Sequence, residues 1–499
     1  MPAITRWIDE RVDLASIRRT LLDRKMPAGL TWWHTLGSAT LTVFIVQVVT
    51  GIVLAMYYSP SPDHAYDSIR YLQRSVASGA TLRGIHHWGA SAMVLLVVAH
   101  MIRVFTMGSY KYPREANWLL GVVLFFLVMG FGFTGYLLPW DQKAYWATQV
   151  GTNIAGTTPI IGGTLVKLLR GGGQLGAATL SRFYALHVLL LPVLLAGIVA
   201  LHLVIVVRQG IAPRPRVLED DAPPRTDATA YRHFYHKRYA ESKAGGVPFW
   251  PDILAKDFVV AAIVIAVLVF LGRFAGAGLE APADPTDASY TPRPEWYFLP
   301  FFQLLKLVPG SMESFAAVGL PLVMIAVLLL LPFFDKRSTR SLKRRPVALA
   351  SLGGAIAASA LLFGASMNDS PRGVAPEVGR MLTSAERAGR TLFEQQQCGS
   401  CHKLAGQKAP EKKADTPDAP ELTEVGLKHT AAWMHSFIED PSRFHTDSKM
   451  AAFGPPTLSH QEIEELSQYL ASLRGPNGAT KQPEFRDTFP EPAKPKEKP

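Results

Sequence analysis

Four histidines stand in two apolar stretches that are each long enough to span a membrane, His86 with His100 and His187 with His202. The first pair is 14 residues apart and the second pair 15. At ~1.5 Å of rise per residue, either spacing covers roughly 21–22 Å, about two-thirds of a bilayer core. At ~100° per residue, 14 steps return to within ~40° of the starting face and 15 steps to within ~60°. Ionisable residues in spans are rare and usually functional, and imidazole is a usual axial ligand of haem iron. The pattern therefore predicts a four-helix bundle that holds two bis-histidine b haems.

His86 is followed directly by His87, so the spacing has to decide between them. From His87, 13 steps to His100 rotate to nearly the opposite face of a helix. We therefore expect His86 to be the ligand and His87 to pack at the surface or against a loop. One histidine in a span could be a polar group that its neighbours satisfy, but four with matched spacing favour ligands.

Two glycine pairs repeat the 14-residue spacing, Gly37 with Gly51 and Gly121 with Gly135. Glycine in a span permits close helix packing, which is the simpler interpretation. The match to the histidine spacing favours a second one, in which the missing side chains leave room for the faces of the haems.

The chain has two cysteines, Cys398 and Cys401, and His402 follows directly. A Cys-x-x-Cys-His run is typical of covalent attachment of a c-type haem. The alternative is a thioredoxin-like redox pair, but no βαβ pattern surrounds the motif.

Seven stretches of the 499 residues are apolar enough to span a membrane. They are residues 32–57, 84–106, 116–138, 183–207, 258–274, 317–334 and 346–367. The terminal segment and loops on one side carry 23 Lys and Arg, and those on the other carry 8. The positive-inside rule then places the N-terminus in the cytoplasm, and the net charge of +11 reflects topology, not nucleic-acid binding. The second and fourth spans both run inward, so His86 and His187 share an outer level, and His100 and His202 an inner one.

This organisation predicts an all-α membrane protein of the bacterial cytoplasmic membrane with a small soluble α-helical domain on the outer face. The predicted parts are an amphipathic surface helix in 1–31, a four-helix di-haem domain 32–210, a solvated cytoplasmic linker 211–250, a three-helix domain 251–367, a tether 368–384, a small α-helical domain 385–476 with the Cys-x-x-Cys-His motif, and a disordered tail 477–499.

The first 210 residues resemble cytochrome b of the bc-type quinol oxidoreductases, and residues 245–367 continue the resemblance. The motifs that carry it are the glycine and histidine pairs, Pro139-Trp140-Asp141-Gln142 and Pro294-Glu295-Trp296-Tyr297. The 15-residue spacing and the seven spans resemble the b6f branch, in which a four-helix and a three-helix chain are separate; here they are fused. That branch binds an extra haem through a cysteine at the start of the first span. The matching residue here is Thr35, which excludes a thioether link and leaves a non-covalent haem open.

The resemblance implies that quinol is oxidised near the outer face with bifurcation of its electrons. One electron would pass to a Rieske iron–sulfur protein, and the other through both b haems to an inner quinone, coupled to proton translocation. The implied partners are that Rieske protein, other c-type cytochrome subunits, a soluble acceptor such as cytochrome c, membrane lipids and a second copy in a homodimeric complex.

Glu295 lies in a proline-rich outer loop between apolar spans, where a partly buried carboxylate could accept a proton from a quinol hydroxyl. The alternative is a structural carboxylate that caps a short helix. Within the motif we favour the base, with Tyr297 positioning the quinol or Glu295, and with Tyr145 and Gly151 lining the same pocket.

Three arginines at span ends could pair with haem propionates, or could simply extend to the interface. They are Arg83 on the outer side and Arg103 and Arg208 on the inner side. Arg208 could also border the inner quinone site.

Residues 385–476 are similar to a class I cytochrome c. The resemblance makes His402 the proximal ligand, oriented by the carbonyl of Pro420, and Met450 the distal one. The remaining candidates for the distal position are Met434, His429, His435 and His445. Methionine–histidine ligation raises the haem potential, which suits an acceptor downstream of a Rieske centre.

Two other functions compete with this interpretation. A non-bifurcating di-haem anchor would have no need of the Pro-Glu-Trp-Tyr loop, and a transporter with a histidine proton relay would not explain the Cys-x-x-Cys-His motif.

Overall fold

The computed structural model describes residues 3–285, 290, 293–309, 312, 314–368, 382–404, 419–445, 448–474, 484–487 and 489. The chain divides into two compact units. The first, which we call the membrane unit, is Met1–Leu279 with Ala283–Met367, and the second, the C-terminal unit, is Glu280–Pro282 with Asn368–Pro499. Most of the predicted tether, and all of the predicted tail except 484–487 and 489, lie outside the described residues.

Seven helices of the described chain are long and apolar enough to cross a membrane, which confirms the predicted all-α polytopic fold. In order, the spans are Trp32–Ala55, Gly79–Thr106, Glu115–Tyr136, Ala177–Gln209, Phe249–Phe274, Phe315–Phe334 and Pro346–Asn368. The other helices of this unit are Ala3–Val12, Leu14–Leu21, Ala65–Ser75, Gln142–Gly156, Gly162–Arg170, Ala228–Ala244 and Leu299–Leu307. The described residues contain one short antiparallel ladder, Lys25–Met26 with Val247–Pro248.

A layer of buried apolar side chains crosses the middle of the membrane unit. It contains Val43, Met93, Val94, Val97, Val128, Leu195 and Leu268 from the first five spans. Val43, Val128 and Leu195 each lie about midway between the glycines or histidines of their own span. The hydrophobic core therefore separates the two histidine levels, which we call the first level (His86, His187) and the second level (His100, His202).

The N-terminal segment departs from the prediction of one amphipathic helix. Two helices, Ala3–Val12 and Leu14–Leu21, meet at Asp13, whose φ of 50° is left-handed. The Asp13 carboxylate accepts a hydrogen bond from the backbone N–H of Ser16 at 3.0 Å, so it ends one helix and caps the next.

The predicted solvated linker is an ordered part of the membrane unit. It contains the helix Ala228–Ala244, in which Tyr231 and Tyr235 are buried. The buried carboxylate of Glu219 accepts from the backbone N–H groups of Arg340 and Ser341 at 2.7 Å each. The linker therefore packs against the loops of the membrane unit. Its composition alone does not reveal the contacts that bury its tyrosines and Glu219.

A buried ion pair joins the four-span and three-span parts. Lys111 follows the second span and is fully buried, and its Nζ lies 2.7 Å from Oδ1 of Asp335, which follows the sixth span. The same ammonium donates to the carbonyls of Arg337 and Thr339. Three acceptors satisfy the Lys111 ammonium. The four-span and three-span parts are therefore held together at the second-level end.

The C-terminal unit is a small helical domain built from Ser384–Gln395, Val425–Lys428, Ala431–Glu439 and His460–Ser472. Its first and last helices cross so closely at Gly389 that a Cβ there would overlap the carbonyl oxygen of Glu465. Leu392, Phe393, Ile463, Leu466 and Leu470 form part of the core around this crossing. The last helix buries an apolar stripe of Ile463, Leu466 and Leu470, and Leu473 directly after it is buried too.

Candidate functional site: two histidine levels, a carboxylate loop and a c-type motif

The structure brings His86 and His187 together across the bundle. Their ring centroids are 6.5 Å apart, and the ring planes meet at 73°. A metal–imidazole nitrogen bond is about 2.0–2.1 Å long, so two imidazoles on either side of one metal have ring centroids roughly 6 Å apart. The spacing therefore fits bis-histidine ligation of one iron.

Two threonines that sequence reasoning missed orient these imidazoles. Thr50 Oγ1 lies 2.8 Å from Nδ1 of His86, and Thr134 Oγ1 lies 2.9 Å from Nδ1 of His187. Each hydroxyl donates its own proton to the carbonyl four residues earlier, at 2.7 and 2.8 Å. The imidazole Nδ1–H must then be the donor to the threonine, which leaves Nε2 free as a ligand. The signal in the sequence is Thr-Gly at both first-level glycines.

A π-helical turn explains the 15-residue spacing in the fourth span. Leu186–Leu190 is π-helix, closed by a bond from the N–H of Leu191 to the carbonyl of Leu186. Pro192 follows directly and has no N–H to donate. A π turn contains one residue more than an α turn, so 15 residues here rotate about as far as 14 in a regular helix.

Each glycine of the predicted pairs faces one histidine. A Cβ built on Gly135 would lie 2.6 Å from Cε1 of His187, and one on Gly51 3.2 Å from Cε1 of His86. At the second level the corresponding distances are 3.3 Å for Gly37 to His100 and 3.9 Å for Gly121 to His202. The glycines therefore make room for the imidazole rings themselves. The sequence-based prediction, in contrast, places the face of the haem, and not the histidine ring, against these glycines.

The second level ends in a set of buried polar atoms. Within the described residues, Nε and Nη2 of Arg103 have no hydrogen-bond partner, although both are buried. Arg103 is one helical turn from His100, where a haem propionate would supply the missing acceptors. The residues present thus fit a b haem at both levels. Thr35 is buried nearby and donates to the carbonyl of Trp32 at 2.7 Å.

Ser38 and Asp257 meet at the same end of the bundle, and sequence reasoning missed both. Ser38 Oγ donates to Asp257 Oδ1 at 2.6 Å. His34, one turn before Ser38, has a buried Nε2 without a hydrogen-bond partner in the described chain. A carboxylate, a hydroxyl and an imidazole therefore stand at the second-level end.

Glu295 forms an ion pair that the motif alone does not indicate. Lys143 Nζ lies 2.5 Å from Glu295 Oε1, with side chains 28% and 15% exposed. The indole N–H of Trp296 donates to Ser91 Oγ at 3.2 Å, which holds this loop on the second span. Arg83, Lys143 and Glu295 supply the charges around His87, so His87 faces this loop.

Tyr297 packs against the third span. Its hydroxyl donates to the carbonyl of Gly132 at 3.3 Å. Burial first, and then the charges of Glu295 and Tyr136, raise the pKa of Tyr297. The phenol therefore stays protonated and can donate a hydrogen bond at any physiological pH.

Gly151 and Tyr145 contact different aromatic groups. A Cβ on Gly151 would overlap the ring of Phe133, whose centroid lies 6.3 Å from that of Phe298 beside Tyr297. Tyr145 instead packs on Trp140, with ring centroids 5.8 Å apart. The structure brings Gly151 to the wall next to Tyr297, while Tyr145 belongs to the aromatic cluster behind Lys143.

The other two arginines take different positions. The terminal nitrogens of Arg83 donate to the carbonyls of Ala277 and Gly278 at 2.7 and 2.9 Å. Arg208 is exposed at the second-level end of the fourth span. Arg103 is therefore the arginine whose surroundings best match a propionate.

The c-type motif forms a short 3-10 helix, Cys398–Ser400, in the C-terminal unit. His402 Nδ1–H donates to the carbonyl of Pro420 at 3.0 Å, which leaves Nε2 free as a ligand. Met450 is partly buried against the domain core together with Cys398. These groups fit a covalent haem with histidine and methionine ligands.

The competing distal candidates lie in other surroundings. His429 Nδ1 lies 3.0 Å from an Asp487 oxygen, and its ring stacks on Trp433 with centroids 3.8 Å apart. Met434 is buried in the core. His435 Nδ1 lies 3.3 Å from Glu464, and the ring of His445 makes an edge contact with that of Phe437, with centroids 6.1 Å apart.

Comparison with known proteins covers both units. Three family models match: cytochrome b/b6/petB at residues 21–210, cytochrome b(C-terminal)/b6/petD at 282–385, and cytochrome c at 386–474. The menaquinol:cytochrome c reductase cytochrome b subunit of Bacillus subtilis is 45% identical over 214 residues, 41% of this chain and 96% of that protein. This chain belongs to the cytochrome b/b6 family.

Two longer matches extend across both parts of the membrane unit. Cytochrome b of Allochromatium vinosum is 35% identical over 347 residues, 68% of this chain and 81% of that protein. A chain of the solved hyperthermophilic respiratory complex III has a TM-score of 0.62 and 29% identity, and the match covers 72% of this chain and 91% of that one. The protein is thus a cytochrome b subunit of a bc-type oxidoreductase complex, with a cytochrome c domain at its C-terminal end.

The family membership confirms the predicted resemblance to the branch with separate chains. The Bacillus cytochrome b is covered to 96% by an alignment of 214 residues, so its length corresponds to the four-helix part, where the cytochrome b/b6/petB model matches residues 21–210. In this cytochrome b the three-helix part and the cytochrome c domain follow in the same chain.

Proposed function

We propose that this cytochrome b oxidises quinol at the first-level end of the bundle and divides the two electrons between a Rieske iron–sulfur protein and the b haems. The observation that carries the proposal is the Lys143–Glu295 ion pair, held beside Tyr297 and the wall of the third span. A carboxylate and a phenol in one partly buried place can bind a quinol hydroxyl from two sides.

In this proposal Glu295 accepts a proton from the quinol hydroxyl. Tyr297 turns its hydroxyl proton from the Gly132 carbonyl to the substrate, and the hydrogen bond positions the quinol ring. The Glu295 side chain, 15% exposed, is close enough to solvent to release that proton. Lys143 holds the Glu295 carboxylate in place until quinol arrives, through the 2.5 Å contact between Nζ and Oε1.

The cofactors are held by residues already described. His86 with His187 and His100 with His202 would hold two b haems, while Cys398, Cys401, His402 and Met450 would hold one c haem. Bound there, the b haems would supply one-electron transfer between the levels, and the c haem would supply one-electron transfer at high potential to an acceptor such as a soluble cytochrome c. Arg103 would neutralise a propionate at the second level.

A quinone would be reduced at the second-level end. Ser38 and Asp257, in contact at 2.6 Å, can hold and pass a proton to a quinone oxygen, and the buried Nε2 of His34 can bind another. Taking up protons at this end and releasing them at the other makes turnover proton-translocating.

We further infer that the complex lies in a bacterial cytoplasmic membrane, with the first level towards the outer face and the cytochrome c domain on that side. The excess of Lys and Arg in the N-terminal segment and the second-level loops supports this orientation. The partners would be a Rieske protein, further c-type subunits and a second copy of the chain.

The decisive experiment uses the purified native complex with Glu295→Gln. Loss of a general base is expected to lower quinol:cytochrome c turnover by about 100-fold or more, with unchanged b-haem and c-haem spectra. The control is Asp63→Asn, which changes an exposed carboxylate and should leave turnover unchanged. Wild-type turnover in Glu295→Gln would overturn the assignment of the base.

Bifurcation has its own readout in the same complex. One quinol should reduce b and c haems together, with one electron to each branch. Reduction of the b haems without the c haem would instead identify a non-bifurcating di-haem anchor.

A further inference from the structure

The C-terminal unit carries two histidine–glutamate pairs that the haem site does not use. His435 and Glu439 are one turn apart on the helix Ala431–Glu439, and His460 and Glu464 are one turn apart on the helix His460–Ser472. The pairs cross between the helices. His435 Nδ1 lies 3.3 Å from Glu464, and His460 Nδ1 lies 3.7 Å from Glu439.

Three of these side chains converge on one point. One possible ligand atom from each of His435, Glu439 and His460 lies within 4.8 Å of the other two. The two imidazole rings are parallel within 7°, with centroids 6.1 Å apart. Ligand atoms of a tetrahedral zinc site are about 3.3 Å apart, so the side chains need to close by roughly 1–1.5 Å. The side chain of His460 is 68% exposed and free to make that movement.

The environment of His435 is better explained by a metal than by an ion pair. Its Nδ1 is buried and makes no hydrogen bond within the described residues, because the carboxylate of Glu464 is close but poorly aligned. A buried ring nitrogen without a partner is costly. A metal ion bound by His435, Glu439 and His460 would fix the orientation of this ring, and the Glu464 carboxylate would then support the ligands.

We propose that His435, Glu439 and His460 bind a divalent transition-metal ion of the zinc type, with Glu464 as a fourth or supporting ligand. Two imidazoles with carboxylate oxygen form a ligand set that zinc accepts. These residues are different from the proposed haem ligands His402 and Met450.

Its position defines a consequence for the cytochrome c domain. The two helices flank residues 440–459, the segment that contains Met450. A metal bridging both helices would fasten the two ends of that segment, and so stabilise the methionine against loss from the iron.

The test measures Zn²⁺ binding to the full-length protein in its purified complex, by titration in competition with a chromophoric chelator. Each of His435→Ala and His460→Ala should weaken the tightest site by at least about tenfold, and Glu439→Gln should do the same without removing volume. His233→Ala changes an exposed histidine in the linker helix and serves as the matched control. All variants should retain the c-haem spectrum, which shows that the domain is folded.

The second readout is the thermal unfolding of the cytochrome c domain, followed at the c haem. Zn²⁺ should raise the midpoint in the wild type and in His233→Ala, but not in the double variant His435→Ala/His460→Ala. Equal Zn²⁺ affinity in all variants, or an equal loss in His233→Ala, would overturn the site.

Discussion

Lys143 and Glu295 are 152 residues apart in the chain, yet their charged atoms lie 2.5 Å from each other. Lys143 belongs to the helix that begins at Gln142, directly after Pro139-Trp140-Asp141, and Glu295 to the Pro-Glu-Trp-Tyr loop. The two motifs are therefore halves of one site. In the proposed reaction, Glu295 would have to leave Lys143, or share it, in order to receive a proton from quinol.

Substitution of Lys143 tests this coupling. In Lys143→Met the Glu295 carboxylate loses the ion-pair partner that holds it in place, so quinol:cytochrome c turnover should fall by about 10- to 100-fold with unchanged haem spectra. Lys143→Arg should restore much of the turnover. Lys167→Met, at an exposed lysine of the next helix, should leave turnover unchanged. Wild-type turnover in Lys143→Met would show that the ion pair has no part in the reaction.

Removal of one threonine hydroxyl should affect one b haem. In Thr50→Val the Nδ1–H of His86 loses its acceptor, so the first-level haem should bind about 10- to 100-fold more weakly. Spectra and redox titrations of the purified protein measure this. The matched control is Thr40→Val on the same span, where the hydroxyl also donates to the carbonyl four residues earlier. Comparable haem loss in both variants would mean that the hydroxyl serves the helix and not the histidine.

The four glycines should differ in their tolerance of alanine. Gly135→Ala, with a 2.6 Å approach to His187, should lose the first-level haem, while Gly51→Ala and Gly37→Ala should have intermediate effects. Gly121→Ala places its Cβ at an ordinary 3.9 Å and should retain most haem. Gly130→Ala is the control, since nothing lies within 4 Å of its added carbon. Haem content per protein measures the series, and a uniform effect would contradict it.

Met450 is expected to supply the sulfur ligand of the c haem. Met450→Ala should abolish the weak sulfur–iron absorption band at the red end of the spectrum, with the thioether bonds intact. Met434→Leu conserves core volume and should keep the band, as should His429→Ala. Persistence of the band in Met450→Ala would move the ligand to Met434.

Local pattern was sufficient for the spans and for the ligand candidates. Helix-forming apolar runs of bilayer length have one stable solution in a membrane, since every backbone group must be satisfied within the segment. The linker could not be predicted in this way. From the sequence, its tyrosines and Glu219 are expected to be solvated, because the loops that bury them follow distant spans.

The sequence by itself determined the chemistry that the chain can perform: two histidine pairs at membrane spacing, four matching glycines and a Cys-x-x-Cys-His motif. These patterns are spacings within a single helix or a short motif, so they can be recognised before the fold is known. Only the tertiary structure decided how these groups are tuned. The π turn that brings the 15-residue pair into phase lies just before Pro192, which has no N–H to donate. Contacts between separate helices place the threonines beside the imidazoles, Lys143 on Glu295, and the crossed pairs at His435 and His460. Residue type alone does not encode those contacts, because each arises only when packing brings distant segments within hydrogen-bonding distance.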